Sequence, residues 1–502
     1  MSTTPTAADP WAATRSRLNA LLVLLEGTET AACSLAELEE LVQREGRSIE
    51  RQALQDRLHL QSRREQQLSE VTDAEGVRHP SVEANHRRTL STVVGEVEFQ
   101  RLAYRQRGAA NLHPADAALQ LPDEQYSYGL QRLSAIEAAK VSFGEAVEGV
   151  REATRAPKAE VHKRQLEELV QRAAVDFDGF YAEAKRPLAT AADVLGLSFD
   201  GKGIVMLPDA LRPATAAAAA RAGTKLTTRL SKGEKANRKR MAEVGAVFTV
   251  TPVPRTPADI LGPPGEQPRS PAPTAKDKWV MASVALDSAA VIARVFDEAG
   301  RRDPEHRCTW LALVDGNNDQ LTRIQAEAKA RHVQVTIVVD LIHVLEYLWK
   351  AAWCFFPEAN PEAEAWVREK GRAVLGGDAA IVAAAVRRKA TCLHLKPDKR
   401  KNADSCANYL LRKAPYLDYS SALRLGWPIA TGVIEGTCRH LVKDRMDITG
   451  ARWGLDSAEA VLKLRALRTN GDFDSYWRYH LAQEHARVHQ ARYADHAIPG
   501  AF

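Results

Sequence analysis

Two stretches, LGLSFDGKG at residues 195–203 and TWLALVDGNND at residues 309–319, decide the fold of this chain. Each is an apolar run of strand length that stops at an aspartate, Asp200 or Asp315, and continues into glycine. A third acid, Glu435, stands early in GVIEGTCRHLVKDRM at 432–446, which has the pattern of a helix. Two strands that end in aspartate, with a glutamate on a later helix, are typical of a site for hard divalent cations, which prefer carboxylate oxygens.

Each acid taken alone also has an ordinary structural interpretation. Asp-Gly after a strand forms turns, because aspartate bonds its own backbone and glycine accepts positive φ. Glu435 near a helix start also suits the helix dipole. The functional interpretation therefore depends on the three acids occurring together, in elements of the expected type.

The order of the elements predicts an α/β core. Strand patterns occur at 195–199, 244–253, 279–286, 309–314 and 333–339, and helical patterns at 288–299, 319–332 and after 340. This is the order of a ribonuclease H-like core with a mixed five-stranded sheet, whose first three strands form a meander and whose fourth lies parallel beside the first. That arrangement places Asp200 and Asp315 on adjacent strands, about 4.8 Å apart.

A fourth acid, Asp340, also follows a strand, with His343 three residues later. In the predicted order its strand lies beyond that of Asp315, about 9–10 Å from the strand of Asp200, so Asp315 is the better second ligand. Asp340 stands where a helix N-cap is needed, and we place it and His343 behind the site as supporting residues. Pairing of Asp200 with Asp340 stays open as an alternative.

The chain divides by composition into five parts. We predict a helical N-terminal region at 1–88, with helices at 10–72 that either dimerise or pack, packing being favoured. A hairpin around Gly95 and a helix-turn-helix-like pair follow within 89–190, the second helix carrying Lys158, His162, Lys163 and Arg164. The catalytic core occupies 191–356 and 428–455, interrupted by a helical insertion at 357–427, and a helical tail covers 456–502. An exposed irregular excursion is predicted at 252–273, which contains eight prolines.

Positive charge is concentrated rather than spread. The net charge is +5, yet Lys225–Arg240 and Arg387–Lys401 each hold seven basic residues against one acid. Such tracts suit a phosphate backbone, although solvated loops have the same composition. The candidate DNA-binding residues are Lys232, Lys235, Arg238, Lys239, Arg240, Arg439, Lys443, Arg445, Arg452 and Trp453, the last either stacking on an unpaired base or packing in the core.

Bulk properties narrow the class of protein. A chain of 502 residues predicts two to four domains, and no stretch approaches twenty uninterrupted apolar residues, so we expect no membrane span. No secretory signal is visible at the start, which predicts a cytoplasmic protein. The six cysteines lack the spacing of a zinc site and are interpreted as reduced, mostly buried thiols.

These segments together resemble bacterial insertion-sequence transposases of the DDE type, most closely the ISKra family. The matching pieces span roughly 89–455 and are TVVGEVEFQRLAY, YSYGLQRLSAIEAAKVSFGEAV, LSFDGKG, KGEKANRKRMAEVGAVFTVTP, LALVDGNNDQ, VVDLIHVLEYLW and ATGVIEGTCRHLVKDRMDITGARW. The sequence departs from relatives at RQRGAANLHP, where they often place a cysteine pair, so a zinc-stabilised end-recognition module is not expected here.

The resemblance implies a catalytic triad of Asp200, Asp315 and Glu435 that binds two Mg²⁺ ions, for which Mn²⁺ substitutes. The implied reaction is metal-dependent cleavage and strand transfer at the ends of the element. The implied partners are double-stranded DNA, as terminal inverted repeats and target, and a second copy of the chain or a larger assembly, at the bacterial nucleoid. Two alternatives remain: another ribonuclease H-like nuclease such as a junction resolvase, and a transposase-derived DNA-binding regulator without catalysis.

Overall fold

The computed structural model describes residues 9–154, 161–222, 238–263, 270–448 and 450–500. The chain folds into two compact units, one formed by residues 1–182 and 472–502 and the other by residues 183–471. The division differs from the predicted parts in two places: residue 88 lies inside a strand, and the C-terminal tail is shared between both units. Within the described residues, every helix is too short or too polar to cross a lipid bilayer.

The first unit is mainly helical and contains one long hairpin, as predicted. Strands β1 and β2 form a small ribbon, and β3 and β4 pair antiparallel through the tight connection before Gly95. Its elements are α1 Ala12–Glu26, α2 Leu35–Arg64, β1 Val71–Thr72, β2 Arg78–His79, β3 Ser81–Thr92, β4 Gly95–Arg105, α3 Pro114–Ala118, α4 Tyr128–Lys140, α5 Phe143–Thr154, α6 Lys163–Arg172 and α7 Phe177–Glu183, which ends at the unit boundary.

Helix α2 protects the outer edge of strand β4. Gln55 accepts a hydrogen bond of 2.9 Å from the Glu98 backbone, and Glu65 accepts one of 2.9 Å from the Leu102 backbone. These side chains satisfy backbone groups that would otherwise be open to pairing with another strand. Burial raises the pKa of the Glu65 carboxyl to about 7.

The predicted helix-turn-helix-like pair corresponds to α5 and α6. His162, Lys163 and Arg164 are exposed at the start of α6, while Lys158 lies outside the described residues. The helices are therefore confirmed, and DNA reading by the second helix stays a prediction.

The second unit contains the predicted mixed five-stranded sheet. The strand order is β7-β6-β5-β8-β9, in which β5, β6 and β7 are antiparallel neighbours and β8 runs parallel to both β5 and β9. The meander and the position of the fourth strand beside the first are thus confirmed. The strands are β5 Val194–Val205, β6 Lys239–Val250, β7 Ala275–Ser283, β8 Thr309–Val314 and β9 Val335–Val339.

Helices cover both faces of this sheet. Helix α10 packs on one face, where a Cβ at Gly245 would lie 2.4 Å from a methyl carbon of Val295. Helix α17 packs against β5 and β6. The helices of this unit are α8 Pro213–Ala222, α9 Pro257–Leu261, α10 Ser288–Arg302, α11 Asn318–Ala330, α12 Leu341–Ala352, α13 Pro361–Leu375, α14 Ala379–Cys392, α15 Pro397–Lys413, α16 Tyr419–Arg424, α17 Gly432–Thr437, α18 Asp444–Met446 and α19 Leu455–Thr469.

The predicted helical insertion corresponds to α13–α16. It precedes α17, the helix that carries Glu435. The remaining long helix, α20 Phe473–Val488, belongs to the first unit, whereas α19 packs along β7 in the second. All six cysteines are free thiols. Three are buried, and Cys392 is exposed, so the expectation of mostly buried thiols holds for half of them.

The predicted end of strand β5 is corrected. The sequence places Asp200 at the end of a strand, but β5 continues to Val205 because its hairpin with β6 extends through Asp200, which pairs with Val244. Pairing with β8, on the other edge of β5, ends at Ser198. Asp200 therefore lies inside β5, beyond the point where β5 stops pairing with β8.

Candidate metal and DNA site

The sheet brings Asp200 and Asp315 to neighbouring positions. The last parallel pair between their strands is Ser198 with Leu313, and each aspartate lies two residues further along. Because side chains alternate between faces, two residues preserve the face, so both aspartates share it. Both are half-buried. This is the relation predicted for the first two acids.

The turn after Asp315 is held by hydrogen bonds within the protein. Asp315 Oδ1 accepts a hydrogen bond of 2.9 Å from the Asn317 backbone, and Asn317 in turn caps helix α11. Gly316 has φ +91°, a conformation that favours glycine. The Tyr409 hydroxyl donates to the Asp315 carbonyl at 3.2 Å, which ties this turn to the helical insertion. The ordinary turn interpretation is therefore correct, and it leaves Asp315 Oδ2 available.

Cys438 joins the strand of Asp200 to the helix of Glu435. The thiol is buried, and burial is the main reason why its pKa is raised far above the usual range. A hydrogen bond to Asp200 and the negative charges of Asp200 and Glu435 raise it further. Both carboxylates raise the pKa of this one thiol, so the first and third acids lie in its neighbourhood.

A hydroxyl links Glu435 to Asp340. Thr431 Oγ1 lies 2.7 Å from Asp340 Oδ2 and 3.3 Å from Glu435 Oε1, so these carboxylate oxygens are at most about 6 Å apart. Asp340 is fully buried, caps helix α12 through Ile342, and contacts His343 Nδ1 at 3.2 Å. Its lone pairs are therefore used by the protein, whereas Glu435 is exposed. This geometry places Asp340 behind the site and Glu435 at its surface.

The helix that carries Glu435 is not regular. After α17 the chain makes a π-helical turn from Cys438 to Lys443, and Arg465 Nε donates to the Leu441 carbonyl at 2.8 Å. Such wide turns are frequent at functional sites. A regular helix would place Arg439 on the same face as Glu435, but the wider turn that starts at Cys438 changes that spacing.

Within the described residues, the carboxylate oxygens of Asp200, Asp315 and Glu435 do not all lie close enough together to bind a single metal ion. The only group of three ligating side chains there whose atoms all lie within 4.8 Å of one another is Asp176, His480 and Glu484. Two Mg²⁺ ions about 3.5–4 Å apart, each about 2.1 Å from its ligands, reach carboxylates up to about 8 Å apart, so a two-ion site needs less convergence.

The group Asp176, His480 and Glu484, in the first unit, is an ion-pair network. Arg487 contacts Asp176 at 2.9 Å and Glu484 at 2.7 Å, and Arg172 contacts Glu484 at 2.7 Å. Burial alone raises the pKa of Asp176, but hydrogen bonds from His480 and Arg487 bring it below its usual range. The carboxylates are thus neutralised by guanidinium groups. By contrast, Asp200, Asp315 and Glu435 form no ion pair within the described residues.

The candidate DNA-binding residues have three different placements. Arg439, Lys443, Arg452 and Lys239 are exposed, and Arg238 is partly so, which leaves them available to phosphates. Lys232 and Lys235 lie outside the described residues. Three candidates are engaged by the protein itself: Arg240, Arg445 and Trp453.

Arg240 and Arg445 are corrections to the sequence interpretation, and for Trp453 the alternative of packing in the core holds. Trp453 is only 4% exposed and donates to the Met446 carbonyl at 3.0 Å, and the Arg445 guanidinium lies 4.7 Å from its ring centre. Arg240 Nε donates to the Val284 carbonyl at 2.6 Å. These side chains stabilise the core and the end of the sheet, because an arginine near apolar segments can satisfy backbone carbonyls as readily as phosphates.

Sequence reasoning missed four residues around the acids. They are Thr431, Cys438, Tyr409 and Lys413, the last a buried lysine that contacts Asn318 beside Asp315. Burial lowers the pKa of Lys413, and the charge of Asp315 opposes that shift. Thr431 gave a weak signal, since it precedes the helix as an N-cap residue does. Tyr409 and Lys413 gave none, because the insertion brings them back from about ninety residues away.

Comparison with protein-family models and with curated proteins finds no match to the chain in either.

Proposed function

We propose that this protein is a DDE transposase that cleaves DNA at the ends of an insertion sequence and transfers the strands to target DNA. The observation that carries the proposal is the common face and level of Asp200 and Asp315 on adjacent strands, with Glu435 on a helix that packs against β5 and β6. The strand order of the sheet supports a ribonuclease H-like core, in which such acids bind the catalytic ions.

The residues fit divalent magnesium. All three acids offer hard oxygen ligands, and none is engaged in an ion pair within the described residues. Asp200, Asp315 and Glu435 would hold two Mg²⁺ ions, with Mn²⁺ as a substitute. When bound, the two ions supply Lewis-acid stabilisation of the attacking and leaving oxygens of a phosphodiester displacement.

The protein's own residues orient this site. Thr431 fixes the Glu435 carboxylate through the buried Asp340, and the turn at Gly316 fixes Asp315. Exposed Arg439, Lys443 and Arg452 follow Glu435 in the chain and would contact the phosphates of the strand being cut. The partner is therefore duplex DNA, and holding two DNA ends together would require at least two copies of the chain.

The test is cleavage and joining of duplex DNA that carries the sequences flanking the gene, with Mg²⁺. Asp315→Asn and Glu435→Gln should each lower cleavage by about three orders of magnitude or more, because each removes a charged ligand, while DNA affinity is unchanged or higher. Asp319→Asn is the matched control, since Asp319 lies four residues after Asp315, in the first turn of α11, and its carboxylate pairs with Arg323 on the surface.

Each other outcome has a definite meaning. Retained cleavage in Asp315→Asn with loss in Asp340→Asn would replace Asp315 by Asp340 in the triad. Cleavage without joined product would indicate a resolvase-type nuclease. Specific DNA binding without any Mg²⁺- or Mn²⁺-dependent cleavage would indicate a regulator.

A further inference from the structure

A cavity of about 340 Å³ opens beside the acids, within the second unit. It lies between the sheet and the segment that leads into helix α17, because Gly432 and Val433 form part of its wall. The other wall residues that matter here are Phe248, Val250, Leu313, Ile429, Arg255 and Lys278. The function proposed above does not use this cavity.

The floor of the cavity is apolar and flat. Phe248 pairs with Gly196 across β5 and β6, and a Cβ at Gly196 would lie 2.4 Å from the Phe248 ring. The missing side chain therefore lets the ring lie across β5. Leu313 from β8 and Ile429 complete this surface. A planar apolar group can pack on such a floor.

The cavity also contains a buried cation. Arg255 is 9% exposed, and its Nη2 donates to the Trp427 carbonyl at 2.7 Å. Its Nε is buried without a hydrogen-bond partner among the described residues. A buried N–H left unpaired costs roughly 1–3 kcal/mol, and Arg255 forms no ion pair among the described residues, so its positive charge is not neutralised by a neighbouring carboxylate. Lys278 adds an exposed second positive charge to the wall.

The cavity and the acids lie on one face of the sheet, a short distance apart. Leu313 lies two residues before Asp315 on β8, about 7 Å along the strand, and points to the same face. Val433 lies two residues before Glu435 on the helix. From Leu313 the cavity extends away from the acids, because Phe248 pairs with Gly196, four residues or about 13 Å before Asp200 along β5. A strand of DNA held at the acids would therefore reach the cavity within two or three nucleotides.

We propose that the cavity receives one unpaired nucleotide of the DNA, two or three nucleotides from the phosphate held by the acids. The base packs on Phe248, Leu313 and Ile429, and a phosphate oxygen accepts hydrogen bonds from Arg255 and Lys278. The volume is near the lower end of the range of about 300–1000 Å³ for ligand pockets, which suits a single base with its sugar and excludes a base pair. Unstacking a base costs a few kcal/mol and is least for one already unpaired. The inference rests on the proposed function.

The test compares two short duplexes by fluorescence anisotropy, one fully paired and one with a single extra thymidine, with Ca²⁺ in place of Mg²⁺. The full-length protein should bind the bulged duplex about tenfold more tightly, the effect of one well-packed base. Arg255→Gln should remove this preference and leave affinity for the paired duplex within about twofold.

Two further variants keep the test decisive if Arg255→Gln folds poorly. Ala272→Trp should fill the cavity wall and remove the preference without changing any charge. Lys278→Gln should reduce the preference, whereas Lys276→Gln, on the same strand and equally exposed but outside the cavity, should not.

Failure of the pocket and failure of the proposed function give different results. Equal binding of both duplexes by the wild-type protein, or a preference that survives Arg255→Gln and Ala272→Trp, would overturn the pocket and leave the transposase proposal intact. Binding of neither duplex would overturn both.

Discussion

Thr431 connects the last acid of the site to the sheet. Its hydroxyl has one proton and two carboxylate neighbours, and the shorter contact, 2.7 Å, is to the buried Asp340. Asp340 is held in turn by the N-terminus of helix α12 and by His343. The position of Glu435 therefore depends on a chain of contacts that ends inside the core, which is how ligand orientation is usually fixed in metal sites.

Removing this hydroxyl tests the chain of contacts. Thr431→Val keeps the shape of the side chain and should lower Mg²⁺-dependent cleavage by roughly 10- to 100-fold, with a higher Mg²⁺ concentration needed for half-maximal rate. Thr431→Ser, which restores the hydroxyl, should recover most of the activity. The measurement is the initial cleavage rate as a function of Mg²⁺.

The control for this change is Thr437→Val, on the same helix, whose hydroxyl contacts only the Val433 carbonyl at 2.8 Å. It should leave the Mg²⁺ dependence unchanged. A Thr431→Val enzyme with a normal Mg²⁺ requirement would contradict the positioning role.

For single residues, the sequence predicted local backbone contacts better than it predicted burial. Asp315 and Asp340 were both recognised as turn or cap residues, and both make the expected backbone contacts. Arg445 was placed at a DNA surface, and Trp453 either there or in the core; both are buried. The identity of a basic or aromatic residue does not show whether it is buried, because burial is decided by packing between distant segments.

At the scale of elements, the sheet was the most predictable part of the chain. Its strands are near-continuous apolar runs, and their order with the intervening helices admits few topologies. The extension of β5 to Val205 was missed because glycines at 201 and 203 interrupt its pattern. The π-helical turn after Glu435 was missed because it leaves the sequence pattern of a helix unchanged.

Gly196 allows a test of how tightly β5 and β6 pack. In Gly196→Ala the new Cβ would lie 2.4 Å from the Phe248 ring, so this buried ring has to leave its position across β5. We expect a loss of about 1–3 kcal/mol in the free energy of unfolding, the usual cost of overpacking a core. The measurement is urea unfolding followed by fluorescence of Trp279 and Trp310, which are buried in the same sheet.

Gly300→Ala is the matched control in the same unit. Gly300 lies inside helix α10, and a Cβ there meets nothing within 4 Å. This substitution should stabilise by about 0.5–1 kcal/mol, because alanine is the better helix former. Changes of the same sign in both variants would contradict the assignment of the effect to the Phe248 contact.

At the scale of the whole molecule, the division into two units was only partly visible in the sequence. The C-terminal segment was predicted as one tail, yet α19 packs along β7 of the second unit while α20 belongs to the first. Helix α19 is rich in leucine and alanine and α20 in aromatic residues and histidine, but neither composition indicates which unit the helix packs against. Packing between residues far apart in the chain decides such a division, and local pattern does not encode it.

The N-terminal helices bear on the expected assembly. Helix α1 packs on α2 through polar contacts, such as Thr14 with Asp56 at 2.7 Å, and none of its residues is buried. Leu18, Leu22 and Leu25, spaced as i, i+4 and i+7 along one side of α1, are each exposed by more than a third. An apolar stripe of this spacing is the usual seam between helices of two chains.

We therefore expect a dimer through α1. Leu22→Glu combined with Leu25→Glu should convert a dimeric protein to monomers. In a symmetric interface each change counts twice, so the loss is about 3 kcal/mol or more, over a hundredfold in the dissociation constant. The measurement is molar mass by light scattering, with and without DNA.

Leu393→Glu, at an exposed leucine of the second unit with the same 48% exposure as Leu22, should leave the mass unchanged. A wild-type protein that is monomeric with and without DNA would contradict the assembly, and dimers that persist in the double variant would place the interface elsewhere.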